Sequence, residues 1–242
     1  MTETRKSWLI VKMGSTFPAL KERLGDFEDW ILAGMGVPRQ QAEVVHPPAG
    51  DPLPDPEGFA GIVMTGSHAM VSDRERWSES LAPWLQRVAA QGVPFLGICY
   101  GHQLLGRALG GEVADHPCGP EVGTVRVTLR REASADPLFG QLPETFPAQV
   151  THGQSVLQLP PGALLLASSD HEPHQAFRVG KAAWGVQFHP EFSVAATRFY
   201  VEALADRLRA WGCDPERLRS SVCDTPEAAG LLRRFTALAS RR

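Results

Sequence analysis

Apolar and polar positions alternate in blocks along the first 110 residues. Short apolar runs at 7–13, 61–65 and 93–98 read as buried strands. Residues 20–35 place Leu20, Leu24, Phe27, Ile31, Leu32 and Met35 close to the spacing of one helical face. Residues 77–90 repeat that pattern with Trp77, Leu81, Trp84, Leu85 and Val88. A further helix is expected at 101–109, directly after the strand at 93–98. A weaker strand is expected at 43–46, followed by an extended loop marked by Pro47, Pro48, Pro52, Pro54 and Pro56. This alternation predicts an α/β fold: a flavodoxin-like, open, mostly parallel sheet with helices on both faces. Sites in such folds form at the carboxyl ends of the strands.

From residue 112 the pattern changes. Runs at 124–129, 148–151, 164–168, 175–179 and 182–187, separated by Gly and Pro, predict extra, partly antiparallel strands. The last stretch is helical. Phe192, Ala195, Ala196, Phe199, Tyr200, Ala203 and Leu204 form one stripe. Asp214-Pro215-Glu216 and Thr225-Pro226-Glu227 each read as a cap, Pro at the first helical position and an acidic first turn. Leu231, Leu232, Phe235 and Leu238 give the final helix its apolar face, and Arg241-Arg242 read as a solvated tail. The expected division is an α/β domain over 1–193 and a helical extension over 194–242 packed on it.

Composition narrows the function classes more than it names one. The chain has 242 residues, with 24 Lys plus Arg against 27 Asp plus Glu, so no basic face for nucleic acid is expected. No apolar run approaches the roughly 18 residues of a membrane span. The start is polar and the next apolar stretch is broken by Lys12, unlike a secretory leader. The four cysteines, at 99, 118, 213 and 223, form no Cys-x-x-Cys pair. The expectation is a cytoplasmic protein with free thiols. No metal or other cofactor is expected: His171-Glu172-Pro173-His174 has the wrong spacing for a zinc helix, and Pro173 would break one.

One of those cysteines stands in a distinctive run, Gly97-Ile-Cys99-Tyr-Gly-His-Gln103. An apolar strand ends in a single cysteine and a helix starts at once, the layout of a nucleophile elbow. The helix N-terminus favours thiolate over thiol. Gly97 and Gly101 flank the turn, where side chains would collide. A thiolate needs a proton shuttle and a group to orient it. Phe188-His189-Pro190-Glu191, at the end of the strand at 182–187, supplies both: in extended chain His189 and Glu191 point to the same face.

With these two runs, and Leu109-Gly-Gly111 after the elbow helix, the sequence resembles the class I glutamine amidotransferases, and within them the stand-alone glutaminase type similar to the glutaminase domain of GMP synthase. The resemblance spans roughly residues 7–193. It implies that Cys99 attacks the side-chain amide of glutamine, with His189 as base and then acid and Glu191 orienting it. A γ-glutamyl thioester forms, ammonia leaves, and water hydrolyses the thioester.

Two oxyanion donors are expected: the N–H of Tyr100, directly after the nucleophile, and one from Gly66-Ser67-His68 at the end of the 61–65 strand. The family usually has Gly-Gly-Pro at that loop, and Ser67 is less free than Gly to take positive φ. Gln103 lies four residues after Cys99 on the same helical face, and the resemblance implies contact with bound glutamine. His152-Gly153-Gln154-Ser155 resembles the family's His-Gly-Asp-x-Val segment beside the glutamine pocket, which makes His152, Gln154 and Ser155 further candidates. His152 reads equally as pocket wall or structural support. Gln154 stands where the family has Asp, so a neutral acceptor replaces a carboxylate that could pair with the substrate α-ammonium.

The leading expectation is therefore hydrolysis of the side-chain amide of glutamine or of a γ-glutamyl small molecule. The roughly 50 residues after 193 are too few for an ATP-using synthetase domain, so an acceptor for ammonia would be a separate synthetase partner. The alternatives are a γ-glutamyl peptidase or hydrolase acting alone, and a catalytically silent regulatory protein of the same fold.

Overall fold

The computed structural model describes residues 6–241. The polar opening at 1–5 and Arg242 of the expected tail lie outside the described residues. The first half runs β1 (Trp8–Val11), α1 (Pro18–Leu24), α2 (Phe27–Met35), β2 (Ala42–Val45), β3 (Gly61–Met64), α3 (Arg76–Glu79), α4 (Ala82–Gln91), β4 (Phe95–Ile98) and α5 (Tyr100–Ala108). Seven strands follow: β5 (Glu112–Asp115), β6 (Glu121–Leu129), β7 (Thr145–His152), β8 (Gln154–Gln158), β9 (Leu164–Ser168), β10 (Ala176–Val179) and β11 (Ala183–Val186). The chain closes with α6 (Val194–Ala203), α7 (Ala205–Ala210), α8 (Pro215–Ser221) and α9 (Pro226–Ala239).

Nine strands form one sheet in the order β2-β1-β3-β4-β11-β10-β9-β6-β7. The β2-β1-β3-β4-β11 half is parallel, and the β11-β10-β9-β6-β7 half is antiparallel. A separate antiparallel pair joins β5 and β8. Side chains alternate across the sheet, so one strand feeds two cores. Leu9 and Val11 pack with Trp84, Leu85, Val88 and Leu104 from α4 and α5. Trp8 and Ile10 pack on the other side with Ile31, Leu32, Leu231 and Phe235 from α2 and α9. Leu231, Leu232 and Phe235 are fully buried, each contributing about 1.5–3 kcal/mol. The final helix thus completes a layer of the α/β core.

The structure refines several expected elements. The helix expected over 20–35 breaks at Gly25, whose φ is +86°. Asp26 then caps α2 in a reciprocal capping box with Asp29. Its other oxygen takes the buried Lys12 ammonium at 2.7 Å. Burial alone would raise the Asp26 pKa, but the bond from Lys12 holds it well below the carboxylate range. The helix expected over 77–90 divides at Ser80–Leu81, with Pro83 in the first turn of α4. Strands β5 and β8 escape apolar patterning because their ends are polar. In the C-terminal part, Asp214 caps α8 through its side chain, whereas Thr225 makes no side-chain cap on α9. No helix among the described residues is long and apolar enough to cross a membrane.

Candidate active site

The site begins at the carboxyl end of β4. Cys99 has φ 49° and ψ −99°, a conformation that L side chains rarely adopt. Such backbone strain costs about 1–3 kcal/mol and persists only where the surroundings enforce it. Here the glycines enforce it. A Cβ on Gly97 would lie 2.5 Å from the Gly101 carbonyl oxygen, and one on Gly101 would lie 2.7 Å from the Met64 oxygen. The turn is therefore pressed between α5 and β3, with the Cys99 thiol lifted above the sheet edge. Cys99 is 6 % exposed, and its Sγ faces the Thr151 carbonyl at 3.8 Å.

β11 runs parallel to β4 with Val186 level with Ile98, so both strands deliver their ends to one place. The chain after β11 bends, rather than running extended: the Phe192 N–H donates to the His189 carbonyl at 3.3 Å. The His189 N–H is anchored on the Gln149 carbonyl at 2.8 Å. The bend still brings the pair together, with His189 Nδ1 2.7 Å from Glu191 Oε1. Phe192 stacks on the imidazole at 4.1 Å between centroids. A Cβ on Gly66 would come 3.1 Å from His189 Cε1, so the loop after β3 closes the other side. Nε2 of His189 makes no hydrogen bond of good geometry among the described residues. Burial pushes the His189 pKa down, but the Glu191 carboxylate and the adjacent Cys99 sulfur outweigh it and raise it to about 10. The site thus favours the protonated imidazolium beside the Cys99 sulfur.

The two expected oxyanion sources stand at this centre. Tyr100 is the first residue of α5, where N–H groups lack intrahelical partners. Its phenol is turned away to Ser78 Oγ at 2.7 Å, and burial pushes its pKa up to about 12. Neither Gly66 nor Ser67 has positive φ. Ser67 Oγ instead accepts from the Ala69 N–H at 3.1 Å. His68, the next residue, is tied to the Tyr200 hydroxyl at 3.0 Å.

Of the expected substrate-pocket residues, Gln103, His152 and Gln154 line the cleft over Cys99, and Ser155 is fully buried and does not. Both amide hydrogens of Gln103 are used, on the Gln154 carbonyl and on Gln187 Oε1, each at 2.9 Å. The Gln154 amide donates to Asp115 Oδ1 at 2.9 Å and to Ser72 Oγ at 2.5 Å. Gln154 therefore locks β8 to β5 and to the turn at Ser72. His152 serves as both wall and support: its ring bridges the Gln154 carbonyl at 3.0 Å and Glu121 Oε2 at 3.1 Å. Among the described residues no group of three or more His, Cys, Asp or Glu could hold a metal ion.

Sequence reasoning missed the wall contributed by the C-terminal helices. Tyr200, Leu204, Arg207 and Trp211 line the same cleft. Tyr200 and Leu204 belong to the apolar stripe of 192–204, a pattern that by itself predicts packing alone. The phenolic hydroxyl within that stripe was the available signal, because a buried tyrosine needs a polar partner.

The family model described as glutamine amidotransferase class-I matches residues 27–215. A GMP synthase [glutamine-hydrolyzing] of Porphyromonas gingivalis is 36 % identical over 139 residues, which is 57 % of this chain and 26 % of that protein. The match thus spans about a quarter of that relative's length. Gamma-glutamyl peptidase 4 of Arabidopsis thaliana is 32 % identical over 177 residues, covering 72 % of this chain and 67 % of the peptidase. The crystal structure of a glutamine amidotransferase from Thermotoga maritima superposes with a TM-score of 0.75 at 22 % identity, over 98 % of this chain and 99 % of that one. That likeness is one of fold.

Proposed function

The chain belongs to the class I glutamine amidotransferase family, and from that premise we propose that it hydrolyses a γ-glutamyl amide through a Cys99 thioester. The Cys99 thiolate adds to the amide carbon, and the oxyanion is held by backbone donors at Tyr100 and the Gly66-Ser67 loop. The carbon–nitrogen bond breaks as the His189 imidazolium gives its proton to the leaving amine. A water molecule, deprotonated by the now neutral His189, attacks the thioester. Glutamate leaves, and Cys99 and His189 return to their starting states. Glu191 orients the ring and holds its positive charge.

The carrying observation is the strained Cys99 elbow placed beside the 2.7 Å His189–Glu191 pair. Strain and a buried ion pair both cost stability, and a catalytically silent scaffold has no reason to keep them together. The test is hydrolysis of glutamine and of γ-glutamyl amides by the wild-type chain and by Cys99→Ala. Wild-type turnover lost in the variant, with covalent labelling of Cys99 by a glutamine-like electrophile, supports the reading. Turnover retained in Cys99→Ala sinks it.

Two uses of this chemistry remain distinct. Ammonia released from glutamine would pass to a separate synthetase partner, and glutaminase activity would then rise when that partner is added. The second use is a γ-glutamyl hydrolase acting alone, in which the leaving amine is larger than ammonia. The residue standing at the family's Asp position is neutral and fully engaged by Ser72 and Asp115. A carboxylate for the α-ammonium, which glutamine and γ-glutamyl compounds share, is therefore not supplied at that position, so the choice between the two uses rests on the leaving amine.

A further inference from the structure

The charge lining the cleft is one-sided. Its walls carry no Asp or Glu, and Arg207 is the only Lys or Arg among them. Arg207 also has no carboxylate within ion-pair distance among the described residues, unlike Arg209, which pairs with Asp206 at 2.9 Å. Instead its guanidinium lies 5.0 Å from the Trp211 ring centroid. Trp211 is 45 % exposed, one of three large apolar side chains so exposed among the described residues.

These two residues continue a stripe that starts at the catalytic centre. Tyr200, Leu204, Arg207 and Trp211 are spaced four, three and four apart, which keeps them on one helical face. The hydrogen bonds from Leu204 N–H to the Tyr200 carbonyl and from Leu208 N–H to the Leu204 carbonyl carry the helix through the α6–α7 junction. Tyr200 is buried beside His68, Leu204 is half-buried, and Arg207 and Trp211 are exposed. Seven residues of helix put Arg207 roughly 10 Å farther out than Tyr200. The deep wall at Gln103 and Gln154 is neutral and buried, beside the charged His189. The outer end is apolar and cationic.

We infer that the outer end is a subsite for the leaving amine, and that the preferred substrate is a γ-glutamyl amino acid whose leaving half carries a free carboxylate and an apolar side chain. The inference rests on the γ-glutamyl amide hydrolysis proposed above. Arg207 takes the carboxylate of the leaving amino acid through its guanidinium fork. Trp211 and Leu204 cover the apolar side chain. Stacking on the indole holds the guanidinium in place before substrate arrives, so less freedom is lost on binding. Free glutamine leaves only ammonia and makes none of these contacts.

The test compares γ-glutamylphenylalanine with its C-terminal amide, which removes only the leaving-side carboxylate, and with glutamine. The wild-type kcat/KM ratio of free acid to amide is expected to be roughly fivefold or more, the range of one charge-assisted contact at a partly exposed site. In Arg207→Gln that ratio falls toward one, and Arg207→Lys restores part of it. In Trp211→Ala the preference for γ-glutamylphenylalanine over γ-glutamylglycine falls instead. A wild-type ratio near one, or a ratio unchanged in Arg207→Gln, overturns the subsite while leaving Cys99-dependent glutamine hydrolysis intact. No Cys99-dependent turnover of any of these compounds overturns the underlying reading and the subsite together.

Discussion

The Tyr200 hydroxyl sits 3.0 Å from His68 Nε2 and 3.0 Å from Thr16 Oγ1, bridging two loops at the head of the sheet from a helix 132 residues beyond His68. Thr16 is itself fixed, because its N–H donates to the buried Asp26 carboxylate at 2.9 Å. The chain Asp26–Thr16–Tyr200–His68 thus carries the rigidity of a buried ion pair to the loop that holds Gly66 and Ser67. Burial, and then the charge on His189, lower the His68 pKa, so its ring is neutral at physiological pH and able to accept from Tyr200. Burial raises the Tyr200 pKa, so the phenol keeps its proton. The C-terminal extension is therefore joined to the proposed oxyanion loop.

Tyr200→Phe keeps the ring packing against Phe17 and Phe192 and removes only the hydroxyl. Removing an oxyanion donor outright costs about 10²–10³ in kcat. Loosening the loop that carries it is expected to cost less, about tenfold in kcat, with KM changed by less than about threefold. Steady-state kinetics on γ-glutamyl amides check this, and an unchanged kcat would mean that the bridge does not set the loop.

The His189 pKa, raised to about 10, would set a pH limit on the proposed reaction. The imidazolium proposed to donate to the leaving amine persists through neutral pH and is lost near pH 10. The alkaline limb of kcat/KM is expected there. Glu191→Gln removes the main cause that raises the value, so the limb moves to lower pH and the rate falls. The stability sign follows the same shift. The charged pair stabilises the fold fully below about pH 6.5, and that stabilisation is lost as pH rises from there toward 10. A kcat/KM profile from pH 6 to 11 on both proteins decides the matter; an unmoved limb would reduce Glu191 to a structural role.

Much of this site was legible because chemistry and fold use the same residues. Gly97 and Gly101 mark the elbow in sequence, and in space their missing side chains let α5 touch β3. His189 and Glu191 lie two residues apart, so their pairing needs only local chain, bent or extended. The parallel half of the sheet was legible from its apolar runs for the same local reason. What the sequence hid is non-local. The partner of His68 sits on a distant helix, and nothing near either residue announces it. The break at Gly25 was hidden by Leu24 and Phe27, which continue the apolar period across it. Its cause is the pairing of Asp26 with Lys12, 14 residues away. The Arg207–Trp211 wall was hidden because exposed side chains on a helix leave no apolar pattern.

The glycine contacts lead to a prediction on stability rather than rate alone. In Gly97→Ala the new methyl would sit 2.5 Å from the Gly101 carbonyl oxygen and 2.9 Å from the His102 nitrogen, both backbone atoms that cannot turn aside. Overpacking of this kind costs about 1–3 kcal/mol. The expected outcome is a lower thermal midpoint together with loss of Cys99 labelling, because the elbow must open to admit the methyl. Gly153→Ala is the control: an added Cβ there meets nothing within 4 Å, and its thermal midpoint should stay near wild type.

His102 yields the last prediction. It lies behind the elbow, fully buried, with its ring 4.8 Å from Phe177 and neither nitrogen in a hydrogen bond of good geometry. Burial disfavours its charged form and lowers its pKa to about 3, far below 6.5. The folded protein therefore holds it neutral, while the unfolded chain takes up a proton below pH 6.5. Stability is fully present above that value and is lost progressively as pH falls toward 3. Over the same window the His189 contribution is constant, since its stabilising charge is already complete below pH 6.5. Asp26 titrates lower still, and His68 and His116, whose pKa values are also lowered by burial, cost stability over the same interval in both proteins, so the His102 share is the difference between wild type and variant. His102→Leu gives up only a poorly aligned contact with the Gly185 backbone and removes the proton uptake. Urea unfolding at pH 6.5 and pH 4.5 should show the wild type losing clearly more stability between the two than the variant. Equal losses would mean that the protonated His102 ring finds a hydrogen-bond acceptor in the folded state, and its burial would then carry no acid sensitivity.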